Sequence, residues 1–161
     1  MNNKFKLFRF SPIKTKENLF DAINYVSKEM GNLCKKITGT EYPIACLTIF
    51  SHYPGEFENL KEIAFSLGNL DSEANGPYVK LTNPIQLKSN KLDLLRIRNP
   101  DPYRYQVGCG DFEVPDYKEF KKTFLIKKSD NLRLISRPEY DMIEFFDPDF
   151  DVLAYVLSKE I

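Results

Sequence analysis

Histidine is nearly missing from this chain: His52 is the single one in 161 residues. Histidine is the commonest metal ligand and general base. Any one-chain site that needs two of them is therefore excluded, which removes two-His-one-carboxylate iron centres and three-His zinc centres. A surplus of positive charge is missing too. Lys+Arg and Asp+Glu both number 23, giving a formal net charge of +0. That argues against nucleic acid as the main partner, because phosphate binding needs a basic excess. No apolar run approaches the ~20 residues that cross a bilayer, so no membrane partner is expected. The N-terminal stretch MNNKFKLFRFSPIKTK lacks the uninterrupted apolar core of a signal peptide. Cys34, Cys46 and Cys109 are odd in number and form no CxxC pair. They read as buried thiols of a protein in the reducing cytoplasm.

What is present is ordinary for a globular chain: 42% hydrophobic and 29% charged residues, enough for one domain with a full core. Residues 4–10, KFKLFRF, alternate like an edge strand or an arm. From Thr15, apolar residues at Leu19, Ile23, Val26, Met30, Leu33 and Ile37 mark an amphipathic helix, with Gly31 as a break and Gly39 as its end. Residues 1–43 thus form an arm and a helical lead-in to a domain over 44–161, all within one compact unit. Ile44 to Phe50 is a continuous apolar run, the pattern of a central strand. His52 falls in a turn and reads as solvated. A helix is predicted over Glu56–Leu67, a polar loop over Asn69–Pro77, a strand from Tyr78 broken at Pro84, and another over Leu92–Arg98.

The second half follows a similar order. Gln106–Val114 is a glycine-bearing strand, Asp116 caps a short helix through Leu125, and Leu132–Ile135 is a strand. Two apolar strands at Met142–Phe146 and Val152–Leu157 then flank the turn Asp147-Pro148-Asp149. The expected fold is α+β: a curved mixed sheet of paired βαβββ-type units with an N-terminal helical cap. Asp147-x-Asp149-x-Asp151 is not an EF-hand start, since Val152 stands at the glycine position and Ser158 at the glutamate position.

That architecture, closing on Glu144-Phe145-Phe146-Asp147-Pro148-Asp149, resembles the glyoxalase/bleomycin-resistance (vicinal-oxygen-chelate) superfamily, with Phe150 where Gly is usual. The helical lead-in with IACLTIF, NGPYVKLTNPI and LDLLRIRNPDPYR is similar to its YecM-like branch. The resemblance implies a small-molecule site in the cup of the sheet. In metal-using members it also implies ligands from the first and last strands of each unit. Here IACLTIF offers no His or Glu, and Ala154 stands where the closing Glu would fall. Only Glu113 and Asp111 remain as metal ligands, so no cofactor is expected and a divalent metal is disfavoured. A metal-dependent lyase or isomerase acting on a small anion, and a structural or homodimerising module like metal-free relatives, stay open as alternatives.

The candidate residues follow from strand spacing. Arg96 and Arg98 are two apart and share a face. Two guanidiniums on a cup would hold a small anionic molecule bidentately; at a sheet end they would pair with nearby acids instead. Arg137, and Tyr103 on the proline-stiffened linker, are counted with them as ligand-binding. Glu113 and Glu144 are the acid/base candidates, because carboxyls on an apolar face have raised pKa values. Cys109, between two glycines, reads as structural.

Overall fold

The computed structural model describes residues 9–125 and 130–159. The proposed strand over residues 4–10 lies mostly outside them. Helix α1 spans Lys16–Thr38. Thr15 Oγ1 accepts from Asn18 N at 3.1 Å, which meets one of the amides a helix start leaves open. Gly39 ends the helix at φ 80°, where a side chain would be strained. Gly31 does not divide it.

Strand β1 (Ile44–Phe50) leads into α2 (Pro54–Leu67), then β2 (Gly68–Glu73), β3 (Pro77–Gln86) and β4 (Lys91–Arg98). Strand β5 (Gly108–Phe112) leads into α3 (Tyr117–Leu125), then β6 (Leu132–Ser136), β7 (Asp141–Phe145) and β8 (Ala154–Leu157). All eight strands form one open mixed sheet in the order β2-β3-β4-β1-β5-β8-β7-β6. Each half is a β-α-β-β-β unit whose first strand pairs in parallel with its fourth, β1 with β4 and β5 with β8. The halves meet where β1 and β5 run antiparallel. The expected α+β fold of paired units is present.

One element differs from the sequence reading. Residues 68–73 are an edge strand, not part of a loop. GNLDSE is polar and largely exposed, and it is held by backbone pairing to β3 alone. Pro84 does not break β3 but lies within a register shift between Lys80 and Ile85.

The helices cover one face. Leu19, Ile23, Val26, Met30 and Leu33 of α1 share a core with Leu47, Ile49, Leu95, Ile97, Phe145 and Val156 of the sheet. Two glycines let α1 lie close to the central strands. A Cβ on Gly108 would come within 2.6 Å of Thr48 O and 2.8 Å of a Val26 methyl. One on Gly110 would meet Cys46 O at 2.6 Å and Met30 Cε at 2.7 Å. Because Gly110 faces α1, Cys109 and Asp111 face the opposite side. No helix among the described residues is long and apolar enough to cross a membrane.

Candidate functional site

The face away from the helices carries a row of polar residues across neighbouring strands. Tyr78 on β3 lies opposite Arg96 on β4, which lies opposite Thr48 on β1, which lies opposite Cys109 on β5. Two residues further along β5, Asp111 pairs with Tyr155 of β8, Tyr155 with Glu144 of β7, and Glu144 with Arg133 of β6. Under part of this row lies a second, small apolar cluster of Phe50, Cys109 and Leu153, with Tyr155 against it.

Arg96 is half-buried. Its Nε donates to Thr48 Oγ1 at 3.0 Å, and Nη1 donates to Tyr78 OH at 3.1 Å. Its Nη2 donates to no described residue. Arg98 stacks over the Phe50 ring, 4.7 Å from its centroid. Its closest anion is Asp101 at 3.8 Å, which also lies 3.5 Å from Arg104. The Arg98 guanidinium donates no hydrogen bond to a described residue. Burial, then the neighbouring Arg104 cation, push its pKa below the ordinary value. A guanidinium with five donors and almost none of them used is an expensive group to hold half-buried.

Glu144 reaches the same face but is already occupied. It is only 5% exposed; Arg133 Nη2 donates to one carboxyl oxygen and Tyr155 OH to the other, the latter at 3.0 Å. Its lone pairs stabilise the β6-β7-β8 corner, which leaves little for acid/base work. Burial, then Cys109 and Glu144, push the Tyr155 phenol up, so it stays a donor at any ordinary pH.

The other candidates do not converge with the arginines. Glu113 is exposed beyond the end of β5, where its N–H donates to Pro43 O at 2.8 Å. It lines an open trough of about 1060 Å³ that also takes in Lys80, Asp93, Leu94 and Leu157. The expectation that it shares a site with Arg96 and Arg98 is therefore corrected: β5 ends at Phe112, and Glu113 lies on the exposed stretch after it. Arg137 is exposed after β6, at the edge of the sheet. Five strand steps separate β6 from β4, roughly 24 Å at ordinary strand spacing. Tyr103 is 95% exposed and cannot wall a pocket.

Asp111 is the group that spacing placed correctly but chemistry undervalued. Burial raises its pKa to about 6, against the pull of Arg96 and Lys159. The native state therefore holds this proton more tightly than the unfolded chain, near 3.9. The resulting stability is fully present below the unfolded pKa and is lost as pH rises through about 6. Asp111→Asn should therefore be more stable than wild type by about 1–3 kcal/mol at pH 7.5, with the gap closing by pH 4. Urea unfolding of both proteins at the two pH values checks this. His52, pushed below its ordinary pKa by burial, acts in the opposite sense over a neighbouring range, so the difference between the two proteins is the quantity to read.

His52 itself is 2% exposed, which corrects its reading as a solvated turn residue. Its Nε2 donates to Gln106 O at 3.1 Å, because a carbonyl can only accept. Its Nδ1 lies 2.7 Å from Ser11 Oγ, and Ser11 Oγ lies 3.0 Å from Glu56 Oε1. The trio has the residue types of a hydrolytic triad without its layout, since both Ser11 and the nearest Glu56 oxygen sit on the Nδ1 side. It is a buried fastening. The acidic turn is fastened likewise: Asp151 accepts from Arg9 and Tyr25, and Asp147 from Lys36.

Among the described residues no three of His, Cys, Asp and Glu come together. Asp111 and Glu113 face different surroundings, and Cys34, Cys46 and Cys109 are buried thiols, with Cys34 and Cys109 pushed up by burial to about 11.

No family model matches the chain, and no curated protein matches it. A solved structure described as "Structural Genomics, Protein EC4020" superimposes with a TM-score of 0.69 over 98% of this chain and 94% of that one, at 12% identity. That likeness establishes a shared fold across nearly the whole length of both.

Proposed function

We propose that this protein binds a small anionic molecule on the open face of its sheet, in the manner of a vicinal-oxygen-chelate-type module that works without a metal. The observation that carries the reading is the unused hydrogen-bonding capacity of Arg98 and Arg96 above an apolar floor. Arg98 has burial and two neighbouring guanidiniums working against its charge, and the nearest carboxylate, Asp101, stands 3.8 Å away. A carboxylate or phosphate placed there meets both guanidiniums with charge-assisted bonds, which are about twice as strong as neutral ones. Phe50, Leu153 and Tyr155 give the polar site its apolar wall.

The paired-unit topology, with first and fourth strands parallel in each half, supports the resemblance to that superfamily. The donor set supports a metal-free member over a metal-dependent lyase or isomerase.

Inorganic phosphate, titrated at constant ionic strength, should raise the melting temperature, since a ligand that binds only the native state stabilises it by mass action. Arg98→Ala should remove the rise while keeping the fold. Arg98→Lys should recover part of it, because the planar fork is lost. A rise of equal size in Arg98→Ala would place phosphate elsewhere. No rise with phosphate or with acetate in wild type would leave a structural or dimerising role as the better account.

A further inference from the structure

Asp111 and the arginines are complementary in what they lack. The Asp111 carboxyl sits half-buried on the same face as Arg96, close enough for each to affect the other's charge. Yet it accepts no hydrogen bond and makes no close ion pair with any described residue. Its neighbours on the sheet do not help. The Tyr155 hydroxyl, in the next strand, is turned to Glu144. Cys46, across β1, is a thiol that burial keeps protonated, and a thiol is a weak donor. Phe112 and Gly110 on either side point to the helices. So one part of this face presents donors without acceptors, and another presents an acceptor without donors. All three side chains are only partly covered, so this spare capacity is open to a ligand from the solvent side.

We infer that the ligand is a hydroxyl-bearing anion: its carboxylate or phosphate lies on Arg98 and Arg96, and a hydroxyl donates to Asp111. This rests on the anion-binding reading and adds the chemical class. An ammonium group in place of the hydroxyl fits less well. It would sit beside the Arg96 guanidinium, so part of its attraction to Asp111 would be cancelled by like-charge repulsion. A hydroxyl meets the carboxyl without that penalty, and it can rotate to suit the acceptor. The Tyr78 phenol accepts from Arg96 Nη1 and makes no hydrogen bond to Asp111. The discrimination is of the kind a polar site does best: a ligand lacking the hydroxyl covers the half-buried Asp111 without matching it.

The test uses two matched pairs, glycerol 3-phosphate against propyl phosphate and 3-hydroxybutyrate against butyrate, on the full chain at pH 7.5 and constant ionic strength. Dissociation constants are measured for wild type, Arg98→Ala and Asp111→Ala. In at least one pair, wild type should favour the hydroxylated member about tenfold, as for a hydrogen bond to a charged group. Asp111→Ala should bind both members of that pair equally, at the affinity wild type has for the deoxy member. Arg98→Ala should lose both. If both members of each pair bind wild type equally, and in an Arg98-dependent way, the hydroxyl assignment is overturned while the anion site stands. If the hydroxyl preference persists in Asp111→Ala, a different acceptor reads it and the assignment is again wrong. If none of the four binds wild type, the anion-binding reading itself fails.

Discussion

Phe145→Ala should destabilise the protein by about 3–5 kcal/mol, the usual range for removing a fully buried phenyl ring. Phe145 is 0% exposed and lies where α3, β5 and β7 meet. Its ring makes an edge contact with Phe112 at 5.6 Å and stacks on Phe120 at 5.9 Å. Phe120 in turn packs against Phe124 and Tyr42. Removing Phe145 thus takes the common partner from a chain of rings that ties α3 to the sheet. Little can move in to fill the gap, because β6 and β8 are fixed by backbone pairing on either side of β7. Equilibrium urea unfolding at neutral pH measures the loss. A cost below about 1 kcal/mol would mean that α3 collapses onto the space, and that the ring chain contributes shape rather than stability. The neighbouring residue provides a control on the face. Phe146, next in sequence but 39% exposed, should cost under about 1 kcal/mol when cut to alanine.

Much of this packing was legible in the residues. IACLTIF reads as a central strand because it is covered on both faces: six of its seven residues are buried. The apolar recurrence in α1 follows its buried residues closely. The alternation that put Arg96 and Arg98 on one face also holds. What stayed hidden depends on distance across the chain. Strand β2 has no apolar pattern, since an exposed edge strand needs only a partner's backbone, and that partner lies several residues on. The order of strands in the sheet is not encoded in any single strand, so nothing local places Arg137 far from Arg98. His52 looked solvated because two of its partners, Ser11 and Gln106, lie 41 and 54 residues away. One signal was available. Glu56 stands four residues after His52, with Pro54 at the start of the helix between them. A carboxyl at that position faces back over the first turn, where it can collect amides.

Glu56→Ala should cost about 3–5 kcal/mol, and much of that loss should arise from releasing residues 9–13. The Glu56 side chain is fully buried, and its two oxygens collect three donors from three places. His52 N donates to Oε1 at 2.7 Å, Ile13 N to Oε2 at 2.6 Å, and Ser11 Oγ lies 3.0 Å from Oε1. Truncation leaves two buried backbone amides without acceptors, each worth about 1–3 kcal/mol. It also removes the group that holds Ile13, itself 1% exposed, against the core. Asn59 would remain as a second tie, donating to the carbonyls of Ile13 and Lys14 at 3.1 Å. The arm should therefore loosen between residue 9 and Ile13 while Lys14 and Thr15 stay near α1. Glu56→Gln should be milder, about 1–3 kcal/mol, since it keeps one acceptor and turns an amide donor towards donors already in place. Urea unfolding gives the total loss. Limited proteolysis with trypsin locates it, because Arg9 and Lys14 bracket the segment. Faster cleavage at Arg9 in Glu56→Ala than in wild type is the expected outcome. A loss under about 1 kcal/mol with unchanged cleavage would mean that water takes the place of the carboxyl, and that the arm is held by packing alone.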